Sequence, residues 1–250
     1  MDRVWFIRQE IRLLSPMYFG RLLFGLFLLL SAFSAAQEAN PDDQSDSEFY
    51  REDQFYIAIS YDVLSEVPQS VATRGLIGGV QLGFIRDWPL TRQGNWSLGT
   101  GLGLGYDRLG QNIVAQSNSG EVPAWTIEQS PSAIEANSLQ ITTLEVPLEI
   151  RWRTSDAQTY KFWRMYVGAK WSQYLDAKTV FKSPDTAVTL TDLPQLHKGI
   201  WYATLAFGYG IFNAQVQWGL TPLLIDVRDS VTQQSIGLRP IKLGIMFYIL

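Results

Sequence analysis

The sequence predicts an all-β protein, an eight-stranded antiparallel transmembrane up-and-down β-barrel of the outer-membrane type. Three observations lead there. The stretch Thr-Leu-Glu-Val-Pro-Leu-Glu-Ile-Arg-Trp-Arg at 143–153 has one apolar face and one charged face. The same two-residue alternation returns in segment after segment. The chain also opens with an export signal.

In the first of these, Leu144, Val146, Leu148, Ile150 and Trp152 share one face, while Glu145, Glu149, Arg151 and Arg153 share the other. A period of two is that of a β-strand. A soluble sandwich turns apolar residues inward, so a charged inner face is foreign to it. A membrane barrel reverses the arrangement, with apolar side chains toward lipid and polar ones toward the lumen.

Composition agrees. The 250 residues are 46% hydrophobic and 18% charged, and the mean hydropathy is −0.01. That excludes a bundle of membrane helices but suits strands that are only half apolar. The chain has no Cys, which rules out disulfides and thiolate metal sites. A net charge of −4 speaks against a nucleic-acid partner. No motif for a metal, nucleotide or redox cofactor is present, so none is expected.

Residues 1–36 read as a signal peptide. Arg21 precedes the apolar run 22–30, and Ser34 and Ala36 occupy the small-residue positions before a cut after Ala36. The competing reading, a retained helical anchor, needs about 20 apolar residues, and this run is too short. Residues 1–16 are either a long leading region or lie upstream of a true initiator at Met17. Residues 37–53 are acidic and Ser-rich, with Asp42, Asp43, Asp46, Glu48, Glu52 and Asp53 against a single Arg51. Such a segment cannot form a core and is expected to be a flexible periplasmic tail.

The barrel is expected over 54–250. In its first strand Phe55, Ile57, Ile59 and Tyr61 alternate with Tyr56, Ala58, Ser60 and Asp62. The second, about 76–86, has the weakest alternation. The third sets Trp96, Leu98, Leu102, Leu104 and Tyr106 outward against Gly99, Gly101, Gly103 and Gly105. The fourth is the stretch at 143–153. The fifth opposes Trp163, Met165, Val167 and Trp171 to Arg164, Tyr166, Gly168 and Lys170. The sixth and seventh do the same around Trp201–Tyr209 and Phe212–Leu220, and the eighth sets Ile241, Leu243, Ile245 and Phe247 against Lys242, Gly244 and Met246.

Connections of about 12, 9, 32, 6, 20, 2 and 13 residues alternate long and short, as external loops and periplasmic turns do. Both termini then fall in the periplasm. Trp88, Trp96, Trp152, Trp163, Trp171 and Trp201 lie near segment ends, where aromatic rings mark membrane interfaces.

Eight strands enclose a lumen that side chains just fill. The charges expected inside are Glu145, Glu149, Arg151, Arg153, Arg164, Lys170 and Lys242. Glu145 and Glu149 can reach Arg164 or Lys170 from the next strand, and Lys242 falls near Asp62 or Tyr56. Buried charges must pair or stay hydrated, so a salt-bridged plug is expected in preference to a gated pore. Catalysis is not expected. The only His, His197, falls in the third external loop beside Asp192 and Lys198 and reads as a solvated loop residue. The second external loop, 107–138, carries an apolar patch, Val122 to Trp125, as a candidate partner contact.

Several stretches resemble the PorT family of outer-membrane β-barrel proteins from Bacteroidetes-type bacteria. They are Arg-Glu-Asp-Gln-Phe-Tyr-Ile at 51–57, Gln-Leu-Gly-Phe-Ile-Arg-Asp at 81–87, Leu-Glu-Val-Pro-Leu-Glu-Ile-Arg-Trp-Arg at 144–153, Tyr-Lys-Phe-Trp-Arg at 160–164 and the closing 241–250. The resemblance implies an accessory or assembly role in type IX protein secretion, with no catalytic residues. Implied partners are outer-membrane lipid and secretion-machinery proteins, met through periplasmic turns or the acidic tail. The alternatives are a structural or adhesive surface barrel and a narrow small-solute channel.

Overall fold

Inward polar and outward apolar side chains alternate along nearly every strand, and the sheet they form closes on itself. The computed structural model describes residues 53–117, 122–130, 134–154 and 162–249. The expected signal peptide, and all of the acidic tail but Asp53, lie outside the described residues. So does Leu250.

The strands are β1 (Gln54–Ser65), β2 (Thr73–Pro89), β3 (Trp96–Gln111), β4 (Ile113–Gln116), β5 (Ala124–Ile127), β6 (Ala136–Arg153), β7 (Trp163–Lys182), β8 (Ala187–Leu190), β9 (Gly199–Tyr209), β10 (Phe212–Gly219) and β11 (Arg239–Ile249). The main sheet runs β6-β3-β2-β1-β11-β10-β9-β7-β8, and β6 also pairs with β7, which closes it. β8 is a short flap on β7 above the ring, which leaves an eight-stranded antiparallel barrel. β4 and β5 form a separate hairpin.

Register fixes what meets inside. First and last strands pair Tyr56 with Tyr248 and Asp62 with Lys242. β6 and β7 stay paired from Ala136 opposite Lys182 down to Arg153 opposite Arg164. Pro147 has no N–H to give, and the β3–β6 ladder skips it, passing from Thr100↔Leu148 to Gly103↔Glu145.

Strand lengths depart from the even spans read in the sequence. β10 has 8 residues, whereas β6 has 18 and β7 has 20. β3, β6 and β7 continue past the apolar belt into a polar wall on one rim. Asp107, expected to open the second external loop, therefore belongs to β3 and is buried. β2 likewise runs on through Asp87 to Pro89. The first connection shortens to 66–72, and the last lengthens to 220–238.

The long connections 66–72, 183–198 and 220–238, with the described residues between β3 and β6, gather at one rim. The turns 90–95 and 210–211 lie at the other, together with the end of β6, the start of β7, the start of β1 and the end of β11. The outer surface is apolar. Ile59, Leu82, Leu102, Ile150, Val167, Phe207, Trp218 and Ile245 are all exposed on it. Toward the short-turn rim it ends in Trp88, Trp96, Trp163, Tyr209 and Phe212, and toward the long-loop rim in Tyr61, Tyr106, Trp201 and Trp218. Trp163 stacks on Phe207 at 5.2 Å, and Trp171 packs against Trp201 at 5.3 Å. An apolar band between aromatic rings matches a lipid bilayer.

Candidate functional site

Glu145, Glu149, Arg151, Arg153, Arg164, Lys170 and Lys242 all point into the barrel and are all buried. The strand alternation puts them there, and the register divides them into two layers.

The layer nearer the short-turn rim is built on Asp87. Arg151 and Arg153 both donate to its carboxylate, Arg151 to Oδ1 and Arg153 to Oδ2. Ser97 adds a hydroxyl to Oδ2 at 3.1 Å. Arg151 also donates to Gln54 Oε1 at 2.7 Å, which ties in the start of β1. The Arg151 guanidinium lies 4.0 Å from the Tyr166 ring and 5.2 Å from Tyr248. Those two rings meet edge to face at 5.7 Å. Glu149, expected to reach the next strand, instead lies 3.5 Å from Arg151 on its own strand. Arg164 stacks 4.3 Å over Phe162.

The second layer centres on two lysines. Lys170 donates to Glu145 at 2.8 Å and to Gln81 at 3.3 Å. Gln217 continues the chain to Gln81 at 3.0 Å and to Gln215 at 2.9 Å. Lys242 stands opposite Asp62 in the β1–β11 register, but its ion pair is with Asp107, at 2.5 Å. Ser60 donates to Asp62 at 2.8 Å. Tyr202 offers its ring to both lysines, at 5.5 and 5.3 Å.

Glycines on β3 make this packing possible. A Cβ on Gly103 would collide with the Tyr56 hydroxyl, and one on Gly105 would stand 2.5 Å from Thr143 Oγ1. The inward Gly row is space for neighbouring polar side chains.

Above the ionic layers, the long connections fold into an apolar cap. Ile77, Leu109, Ile113, Leu139, Ile200, Leu223 and Leu238 form its floor, and Trp125 is buried within it. The apolar patch Val122 to Trp125, a candidate partner contact, is divided, since Val122 is exposed but Trp125 is buried in the cap. Trp125 Nε1 donates to Gln195 at 3.2 Å, and Gln195 donates to Pro123 O at 2.7 Å. Asn112 joins two loops by accepting from Ala72 N at 2.7 Å and donating to Glu128 O at 2.8 Å. Asp229 clasps the last loop to β5, taking Ile127 N at 2.9 Å and Thr232 N at 2.7 Å.

His197 is half-buried at the end of the third long connection, where its backbone N–H donates to Leu223 O at 2.9 Å. Among the described residues no cluster of His, Asp or Glu is placed to hold a metal ion.

What the arrangement does is close the barrel. The lumen cavity beside Glu149 and Gln215 measures about 20 Å³, and the one beside Asp62 and Asp107 about 10 Å³. Neither holds more than about one water. Ionic layers and apolar cap together fill the described part of the lumen around these two small cavities.

A closed antiparallel barrel with a polar inside and an apolar, aromatic-edged outside is an outer-membrane protein. The chain matches the family described as outer membrane protein beta-barrel domain over residues 25–224 and belongs to it. That membership places it in the bacterial outer membrane. Comparison with curated proteins gives no match. Among solved structures the chain is similar to Ail, the attachment invasion locus protein of Yersinia pestis, at 10% identity and a TM-score of 0.33, covering 79% of this chain and 97% of that one. A second structure, of Ail in complex with the heparin analogue sucrose octasulfate, gives 10% identity and a TM-score of 0.33, covering 80% and 99%.

Proposed function

We propose that this protein is a non-conducting, non-catalytic scaffold barrel that serves as an accessory component of type IX protein secretion. One observation carries the scaffold part. The lumen is closed twice, by buried ion pairs and by the loop cap, which leaves the two rims as working surfaces. The secretion role draws on the PorT resemblance at 51–57, 81–87, 144–153, 160–164 and 241–250. In this reading the short turns, the acidic tail and the C-terminus face the periplasm, where secretion-machinery proteins meet them. The long connections face outward.

Deletion of the gene, followed by comparison of surface and periplasmic proteins with a complemented strain, tests the role. Cargo accumulating in the periplasm supports it, and an unchanged secretome overturns it. A second reading, a structural or adhesive surface barrel, is favoured by the loop cap with Val122 and Val231 exposed on it. Loss of adhesion with normal secretion would select that reading.

A further inference from the structure

Arg86 stands on the wrong face for a charge. Its neighbours Ile85 and Asp87 are buried inside, so Arg86 points outward with Phe84 and Trp88. Its guanidinium carbon lies 5.3 Å from the Trp88 ring. Across the β2–β3 ladder it faces Thr100, whose hydroxyl accepts Trp88 Nε1 at 2.9 Å. Arg86 Nε is shielded by its neighbours and has no hydrogen-bond partner. A charge in hydrocarbon is costly, whereas at a membrane interface the stem can lie on apolar surface while the head finds phosphate. Arg86 lies one outward step from the Trp88 end of the belt, where its head reaches that interface.

Directly beyond it is a groove. Phe84 and Leu102 pair at the next outward step of the same ladder. With Phe55, Leu82, Leu104 and Ile249 they line an open depression of about 470 Å³ on the barrel's outer face. A cation and a hydroxyl at one end of an apolar groove match one kind of molecule, an amphiphile with a phosphate head.

We propose that Arg86 and the Thr100 hydroxyl bind the phosphate of a single glycerophospholipid, with Trp88 packed against its headgroup and its acyl chain in the groove over Phe84 and Leu102. The Arg86 fork suits phosphate oxygens, and the indole edge packs at headgroup level. Choosing a glycerophospholipid over a lipopolysaccharide rests on the orientation proposed above, which sets this rim in the periplasmic leaflet.

The test is native mass spectrometry of the refolded mature chain in detergent, with phosphatidylglycerol, diacylglycerol or lipid A added. Wild type is expected to hold one phosphatidylglycerol and to bind diacylglycerol weakly. Losing one charge-assisted contact in Arg86→Gln should weaken phosphatidylglycerol binding roughly tenfold. Leu102→Trp, which fills the groove, should also weaken it. Arg108→Gln, an outward arginine at the far end of β3, should not. Equal phosphatidylglycerol binding by Arg86→Gln and wild type overturns the proposal, as does equal binding of diacylglycerol. Binding of lipid A alone overturns the choice of lipid. Gln93→Cys, the sole thiol in a chain without cysteine, reports orientation separately through labelling from the periplasmic side only.

Discussion

Arg151 lies across Gly99. A Cβ on that glycine would stand 2.5 Å from the arginine Cδ and 3.2 Å from Ile85. Gly99 sits on β3 between Asp87 on β2 and Glu149 on β6. Arg151 therefore reaches Asp87 over a strand that offers no side chain in its path.

Gly99→Ala should accordingly destabilise the barrel by about 1–3 kcal/mol, because the added methyl overpacks a site with no slack. The measurement is the urea midpoint of the protein refolded in lipid vesicles. An unchanged midpoint would show that Arg151 has another route to Asp87.

Removing Asp87 should do more damage than removing either arginine. Asp87→Ala takes the shared carboxylate from two buried guanidinium groups at once, and breaking a buried pair costs about 3–5 kcal/mol. Replacing the whole cluster together, Asp87→Leu with Glu149→Gln, Arg151→Met and Arg153→Met, removes the unmatched charges and should recover much of that loss. Heat-modifiable gel mobility follows both variants, and a combined variant no better than Asp87→Ala would sink the argument.

The inward charges of β6, β7 and β11 were legible because strict alternation fixes the face of Glu145, Arg151, Lys170 or Lys242 without tertiary information. Two counter-ions were not. Asp87 followed the blurred end of the second strand, and Asp107 stood among polar residues that read as loop. A carboxylate in a polar strand extension looks like one in a loop until the register is known. The cap was hidden for a related reason. Trp125, Leu193, Leu223 and Ile236 lie in separate connections, with no period to show that they converge. Arg86 stands in the stretch 81–87, and its outward direction follows only from Asp87 pointing in.

A closed lumen predicts silence in planar bilayers. Wild type should show no conductance steps. Trp125→Ala should loosen the cap, at about 3–5 kcal/mol for a large buried aromatic. Conductance should still stay flat, because the Lys170–Glu145 and Arg151–Asp87 layers lie beneath. Steps in the wild type would favour the small-solute channel instead.

The cap should be sensitive to acid at one point. Asp229 lies outside the membrane belt, and its carboxyl is held below the ordinary value of 3.8, chiefly by the Thr232 hydroxyl and against the opposing effect of burial. The backbone N–H groups of Ile127 and Thr232 add to the same shift. A folded-state value below the unfolded one means the carboxylate stabilises the clasp above the unfolded value and loses that effect as pH falls through the folded one. Hydrogen exchange over 124–128, corrected for its intrinsic pH dependence, should therefore stay slow from about pH 7 to about pH 4 and quicken below. Asp229→Asn cannot ionise, so it should exchange faster at neutral pH and show no such step. Identical profiles for the two proteins would mean that the Asp229 charge has no part in holding the last loop to β5.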